Sequence, residues 1–296
     1  MKLQGVIAPV ISTFEPGTEN IDIASFISNL NAHMQAGLHG VVVCGSTGEA
    51  ALLTEDERRL LCEAARGVVP RSKVLLMGTG AESTRLTIRR CVEAKAAGAD
   101  GALVVAPHYY SNAMNLEALR VHYRAVADES PLPVVLYNIP KYMHFALPAE
   151  LVAELAKHPN VVGIKDSSGD INMLKGFLAA QSDSFTVLTG NGGTFVPALE
   201  AGARGGILAV SLFAPALSLQ MYDAFKGGDT ATAAEAQATM KPLAVTIVAE
   251  LGVAGVKTAC DVVGLHGGPV RRPRVALDEA AEQRVRELLS GIVVAA

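Results

Sequence analysis

Short apolar runs recur along most of the chain, at 6–10, 40–43, 74–77, 101–105, 134–137, 161–165, 186–189 and 206–209. They lack a strict apolar–polar alternation, so each predicts a strand buried on both faces. Between them, near 22–36, 54–68, 82–97, 115–129, 148–157, 170–181, 193–203 and 214–226, apolar residues return at helical spacing. Several of these segments open on a cap or an acidic first turn, as at Thr54-Glu55-Asp56-Glu57. Several close on glycine, at Gly37, Gly98 and Gly202. Eight strand–helix units in alternation predict an α/β fold, a closed (β/α)8 TIM barrel in preference to an open doubly wound sheet.

After Phe225 the pattern changes. Gly227-Gly228-Asp229 breaks the chain, and the remainder predicts helices near 229–251, 253–264 and 278–290. No linker separates them, so residues 1–226 are expected to form the barrel and 227–296 a C-terminal helical appendage packed on it.

Composition narrows the picture. The 296 residues are 50% hydrophobic and 18% charged with a formal net charge of −4, enough for the large core of a single α/β barrel. Without a Lys/Arg block, nucleic acid and anionic membrane are not expected as partners. The four cysteines, Cys44, Cys62, Cys91 and Cys260, show no paired spacing and suit the reduced core of a cytoplasmic protein. The N-terminal stretch holds one lysine and an apolar run broken by Pro9, too poor for a signal peptide, and no run reaches the ~18 apolar residues of a membrane span.

In such a barrel the chemistry lies at the C-terminal ends of the strands. The sixth run ends in Lys165, followed by the turn formers Asp166, Ser167, Ser168 and Gly169. Desolvation favours the neutral form of an amine, which can attack a carbonyl and form a Schiff base. The structural alternative is a lysine that reaches the surface or pairs with Asp166. The fifth run ends in Tyr137, a phenol that can relay protons, or alternatively a packed aromatic. After the second run, Ser46 and Thr47 stand between glycines in Cys44-Gly45-Ser46-Thr47-Gly48-Glu49, a turn able to hold a small carboxylate or phosphate. The fourth run leads to Pro107-His108-Tyr109-Tyr110 and the seventh to Gly190-Asn191-Gly192-Gly193. The seven histidines show no metal-ligand spacing, and no Gly-rich nucleotide loop is present. Arg271-Arg272, in G-G-P-V-R-R-P, is expected in a surface turn, with anion binding as the lesser alternative.

Taken together, G-V-I-A-P-V-I-S-T-F, G-S-T-G-E, P-H-Y-Y, L-Y-N-I-P, G-I-K-D-S-S-G-D and G-V-K-T-A-C run nearly end to end along the chain. In this order and spacing the sequence resembles the dihydrodipicolinate synthase/N-acetylneuraminate lyase family of class I, pyruvate-dependent aldolases. The resemblance implies that Lys165 forms a Schiff base with pyruvate and that Tyr137 is the proton-relay phenol. It implies that Ser46 and Thr47 bind the pyruvate carboxylate, Thr47 also supporting the relay, with Gly190, Asn191 and Leu208 completing the substrate site. Tyr110 resembles the tyrosine that members insert into a neighbouring subunit's site, which implies a homo-oligomer, commonly a tetramer. No cofactor is implied, because the lysine is itself the electron sink, and the co-substrate is a small aldehyde or 2-oxo acid.

One departure bears on that co-substrate. Synthases of lysine biosynthesis typically carry arginine two residues after the proline of Y-N-x-P, where it holds the aldehyde's carboxylate. This chain has Tyr142 there, preceded by Lys141. A phenol cannot replace a bidentate guanidinium. Glu55 and Arg58 stand where regulated synthases carry lysine-binding histidines, and Glu82 where they carry asparagine, so lysine inhibition is not expected. P-H-Y-Y, K-D-S-S-G-D and G-G-P-V-R-R-P look closest to the 4-hydroxy-2-oxoglutarate aldolase branch, whose products are pyruvate and glyoxylate. The expected order is that activity first, condensation of pyruvate with aspartate semialdehyde second, and a noncatalytic 2-oxo-acid-binding regulator as the reading from another class.

Overall fold

A computed structural model describes residues 3–293. Eight strands form at the predicted runs: β1 (Gly5–Pro9), β2 (Gly40–Val43), β3 (Val74–Gly78), β4 (Gly101–Val105), β5 (Val134–Asn138), β6 (Val161–Asp166), β7 (Thr186–Thr189) and β8 (Gly205–Ile207). They pair in parallel in sequence order, and β8 pairs back onto β1, so the barrel is closed and no edge is left exposed. The runs are continuously apolar because side chains on one face fill the barrel while those on the other meet the surrounding helices.

The helices of the barrel are α1 (Ile23–Gln35), α2 (Glu55–Val68), α3 (Thr84–Ala96), α4 (Leu116–Glu129), α5 (Pro140–Met143), α6 (Ala149–Leu155), α7 (Ile171–Leu178), α8 (Phe195–Ala201) and α9 (Pro215–Gly227). Their ends follow the sequence signals. Thr54 and Glu57 form a reciprocal capping box at the start of α2, satisfying two otherwise orphaned backbone donors. The one-turn helix α5, in the loop after β5, has no counterpart among the sequence expectations; Pro140 at its first position supplies a pre-set φ.

Beyond Gly228 come α10 (Thr230–Leu243), α11 (Gly252–Val262) and α12 (Glu279–Val293). The single helix expected over 229–251 is instead α10 followed by a π-helical stretch, Ala244–Glu250. Pro242, inside α10, has no N–H to give to the preceding turn and its ring crowds the carbonyl there, so the α-helical ladder cannot pass through unchanged. Helix α10 packs on α8 and α9, and α12 on α10 and α11. The Arg271-Arg272 pair corrects the expectation of a plain surface turn. Arg272 is exposed, but the Arg271 side chain is only 12% exposed and forks onto both carboxylate oxygens of Glu57 at 2.6 and 2.7 Å. An arginine fork matched to a carboxylate can be buried where a lone charge cannot.

Candidate active site

Strand register brings the two expected groups together. Tyr137 of β5 and Lys165 of β6 are direct partners in the ladder, so their side chains leave the sheet at one level and on one face. Both are buried, at 4% and 5% exposure, and the Lys165 Nζ lies 4.2 Å from the centre of the Tyr137 ring. Among the described residues no carboxylate pairs with Lys165. Asp166, one residue on, points to the opposite face, where it accepts hydrogen bonds from Asn138 Nδ2 (2.7 Å) and Ser168 Oγ (2.7 Å). That excludes a Lys165–Asp166 pair. Burial pushes the Asp166 carboxyl above its ordinary range, with the Ser168 and Asn138 hydrogen bonds opposing the shift.

Gly190, at the end of β7, makes room for the lysine. A Cβ there would lie 2.8 Å from Lys165 Cε and 1.9 Å from Ser167 Oγ, so any side chain would displace the amine. Beside it, Asn191 folds its Oδ1 back onto the Gly193 N–H at 2.8 Å and fixes the loop. Across the barrel mouth, Ser46 and Thr47 sit on the turn after β2. That turn is held tightly: Ser12 Oγ donates to the Gly48 carbonyl at 2.8 Å, and Glu49 N–H donates to the Ser46 carbonyl.

These residues line one cavity of about 140 Å³: Ser46, Thr47, Tyr137, Lys165, Gly190 and Asn191 face the same space. One further wall comes from the C-terminal helices, through Ala244, Val248 and Ala249 of the π-helical stretch and Val253 and Val256 of α11. Lys141 and Tyr142 stand at its mouth, and Lys141 Nζ donates to the Ala249 carbonyl at 2.8 Å. The cavity thus combines a buried amine, a phenol and two hydroxyls within apolar walls. Such a setting can bind a small oxo acid and exclude bulk water from an imine.

Two expected site residues lie elsewhere. Leu208 is fully buried and does not line the cavity, although its neighbours Ile207 and Ala209 do. Strand β8 ends at Ile207 and the chain turns into a 3-10 helix, so the side chain packs against Gly206 instead of entering the site. Tyr110 is 69% exposed, edge to face with Tyr109, and lies outside the cavity formed by this chain. Glu82, behind these tyrosines, accepts from the His108 and Tyr109 N–H groups at 2.9 Å. All four cysteines are buried and unpaired, and burial pushes the Cys44 thiol up to about 11. No group of three or more metal-ligating side chains is found among the described residues.

Residues 2–292 match the model of the dihydrodipicolinate synthetase family. The chain belongs to this family. The 4-hydroxy-tetrahydrodipicolinate synthase of Methanoculleus marisnigri is 37% identical over 97% of this chain and 98% of its own length. Among solved structures, a dihydrodipicolinate synthase from Bacillus anthracis superposes with a TM-score of 0.94 at 28% identity, covering 99% of both chains. The Escherichia coli K12 protein YagE, of the same family and solved in complex with pyruvate, gives 0.91 at 30% identity over 97% of this chain and 98% of that one. The protein is accordingly a family enzyme of the aldolase, or carbon–carbon lyase, type.

Sequence reasoning missed what holds the Ser46–Thr47 turn from behind. Glu49, 2% exposed, lies 2.8 Å from the Nζ of Lys257, itself 1% exposed, and its other oxygen accepts from the Arg271 N–H at 3.1 Å. Both side chains stood in motifs already singled out, G-S-T-G-E and G-V-K-T-A-C, but no periodicity links residues so far apart. The only signal was Lys257 inside a largely apolar helical segment, a charge that without a partner would not be buried.

Proposed function

We propose that the protein is a Schiff-base, pyruvate-dependent aldolase in which Lys165 is the nucleophile and Tyr137 the proton relay. The observation that carries this reading is the pairing of these two buried side chains at one level of the barrel, facing the cavity that also holds Ser46 and Thr47. The Lys165 amine adds to the C2 carbonyl carbon of pyruvate, and water leaves with the carbonyl oxygen to give a protonated imine. The imine draws electrons, so the methyl group loses a proton and becomes an enamine. The enamine carbon attacks an aldehyde carbon, the aldehyde oxygen takes up a proton, and water then releases the product from lysine. The reverse sequence cleaves a 4-hydroxy-2-oxo acid. Tyr137 moves protons to and from the oxygens at C2, and Ser46 and Thr47 hold the carboxylate so that the reacting atoms meet. The lysine serves as electron sink, and no separate cofactor enters the sequence.

For the second substrate, relatives named 4-hydroxy-tetrahydrodipicolinate synthase support aspartate semialdehyde, which moves ahead of glyoxylate in the order expected from sequence. One specific feature favours the shorter acceptor glyoxylate: Tyr142, a phenol where such synthases typically carry arginine, stands at the cavity mouth. Rates of pyruvate condensation with the two aldehydes decide between them. The exposed pair Tyr109–Tyr110 supports association of this chain with further copies, and the buried unpaired cysteines support a cytoplasmic setting.

Borohydride reduction in the presence of pyruvate, followed by peptide mass mapping, tests the chemistry. A pyruvyl adduct on Lys165 is the expected result. A folded sample that carries no adduct there would overturn the aldolase reading and put the noncatalytic binding role first.

A further inference from the structure

The cluster behind the Ser46–Thr47 turn has no part in the chemistry above, yet it buries a full ion pair inside the fold. Glu49 adopts a left-handed backbone conformation, φ 55°, which turns its side chain away from the cavity into the protein. Lys257 meets it from α11 and also donates to the Pro269 carbonyl at 2.6 Å. The lysine's Nζ lies 4.3 Å from the ring centre of Phe14, and the Arg271 guanidinium 4.2 Å from the same centre. Arg274 stands 3.8 Å from the second Glu49 oxygen. Lys257 follows directly on Val256, which lines the cavity. The buried pair therefore bridges two walls of one site: the turn carrying Ser46 and Thr47, and helix α11.

We propose that Glu49 and Lys257 are positioning residues that set the affinity for pyruvate by fixing the turn that receives its carboxylate. This rests on the Schiff-base reading for Lys165. Neither side chain touches the cavity floor where the imine would form, so the pair acts on how well the acid is held and leaves the amine's own reactivity in place. The turn already has short-range hydrogen bonds of its own, from Ser12 Oγ to the Gly48 carbonyl and from the Glu49 N–H to the Ser46 carbonyl. A buried charge pair is an expensive way to hold it unless its exact placement matters, because an apolar pair of the same volume would be as stable.

The test uses the full chain and reads the pyruvate concentration that gives half-maximal borohydride labelling of Lys165. Single variants leave a buried charge unpaired, so the main variant is the double Glu49→Gln/Lys257→Met, which removes both charges and keeps the shape. It is expected to need at least about tenfold more pyruvate, the effect of losing one well-placed contact, with the same maximal labelling of Lys165. Glu49→Asp keeps both charges and withdraws the carboxylate by one methylene, and is expected to fall between wild type and the double variant. A wild-type concentration dependence in either variant would overturn the proposal while leaving the Schiff-base reading intact. Reduced maximal labelling with unchanged half-saturation would overturn it too, since the pair would then act on the amine. No label on wild-type Lys165 would overturn both.

Discussion

The two sides of the cavity are built by different means. On one side, Tyr137 and Lys165 stand on adjacent strands, and the backbone ladder of the barrel places them. On the other, Ser46 and Thr47 stand on a turn held by local hydrogen bonds and, from behind, by the Glu49 ion pairs with Lys257 and Arg274 and the hydrogen bond from the Arg271 N–H. The first arrangement is local and repeated around the barrel, so it tolerates change in any single side chain. The second depends on a few long-range polar contacts and concentrates its sensitivity in them. A barrel can thus keep its reacting group rigid at little cost in sequence, while the group that recognises the substrate must be secured separately.

The largest effect expected from breaking the contrast is on the strand side. Tyr137→Phe keeps the ring over Lys165 and removes only the hydroxyl, so turnover should fall by about 10²–10⁴-fold, the range for loss of a positioned general acid–base group. The denaturation midpoint should barely move. A large loss of stability instead would mean that the phenol is a structural group. On the turn side the order of effects reverses. Lys257→Met leaves the Glu49 carboxylate buried without its partner and should cost about 3–5 kcal/mol of folding free energy, read by urea unfolding. Adding Glu49→Gln should restore most of that loss; failure to recover would show that packing of the lysine stem, and not the charge pair, is what counts.

The smallest effect sharpens the comparison through pH. The Arg271 guanidinium, hydrogen-bonded to Glu57, holds that carboxyl below its ordinary value of 4.5. A carboxyl lowered in the folded state adds stability above its unfolded value and loses that contribution as pH falls through the lower, folded value. The stability gap between wild type and Arg271→Gln should therefore be wider at about pH 7 than at about pH 3.5. It should not close fully, because Arg271 also donates to the carbonyls of Leu52 and Glu19. A gap independent of pH would mean that those carbonyls carry the contact.

This contrast also marks what could be read from the sequence. Strands β2, β4 and β7 run over 40–43, 101–105 and 186–189 as the apolar runs predict, because burial on both faces leaves a direct trace in composition. Lys165 and Tyr137 were legible for a related reason: a polar residue closing such a run lies at the end of the barrel where sites form. Leu208 enters the site only through the family resemblance; strand β8 stops at Ile207, and the Leu208 side chain packs against Gly206 outside the cavity. The π-helical stretch after Pro242 escaped notice because its apolar residues still recur at a spacing compatible with an ordinary helix. The Glu49–Lys257–Arg271 cluster left only one faint trace, a lysine within the largely apolar helix α11, since each member's burial is made tolerable only by partners far away in sequence.

The separation of Arg271 from Glu49, 222 residues, has a consequence for how the protein is made. Strand β8 ends at Ile207, so all eight strands, with Tyr137 and Lys165 on them, leave the ribosome well before residues 257–274 do. Contacts that close so long a stretch of chain form late, after the entropy of loop closure has been met. A nascent chain therefore assembles the Tyr137–Lys165 side of the cavity first and the contacts behind the Ser46–Thr47 turn last, and the cavity is complete only as the final helices dock.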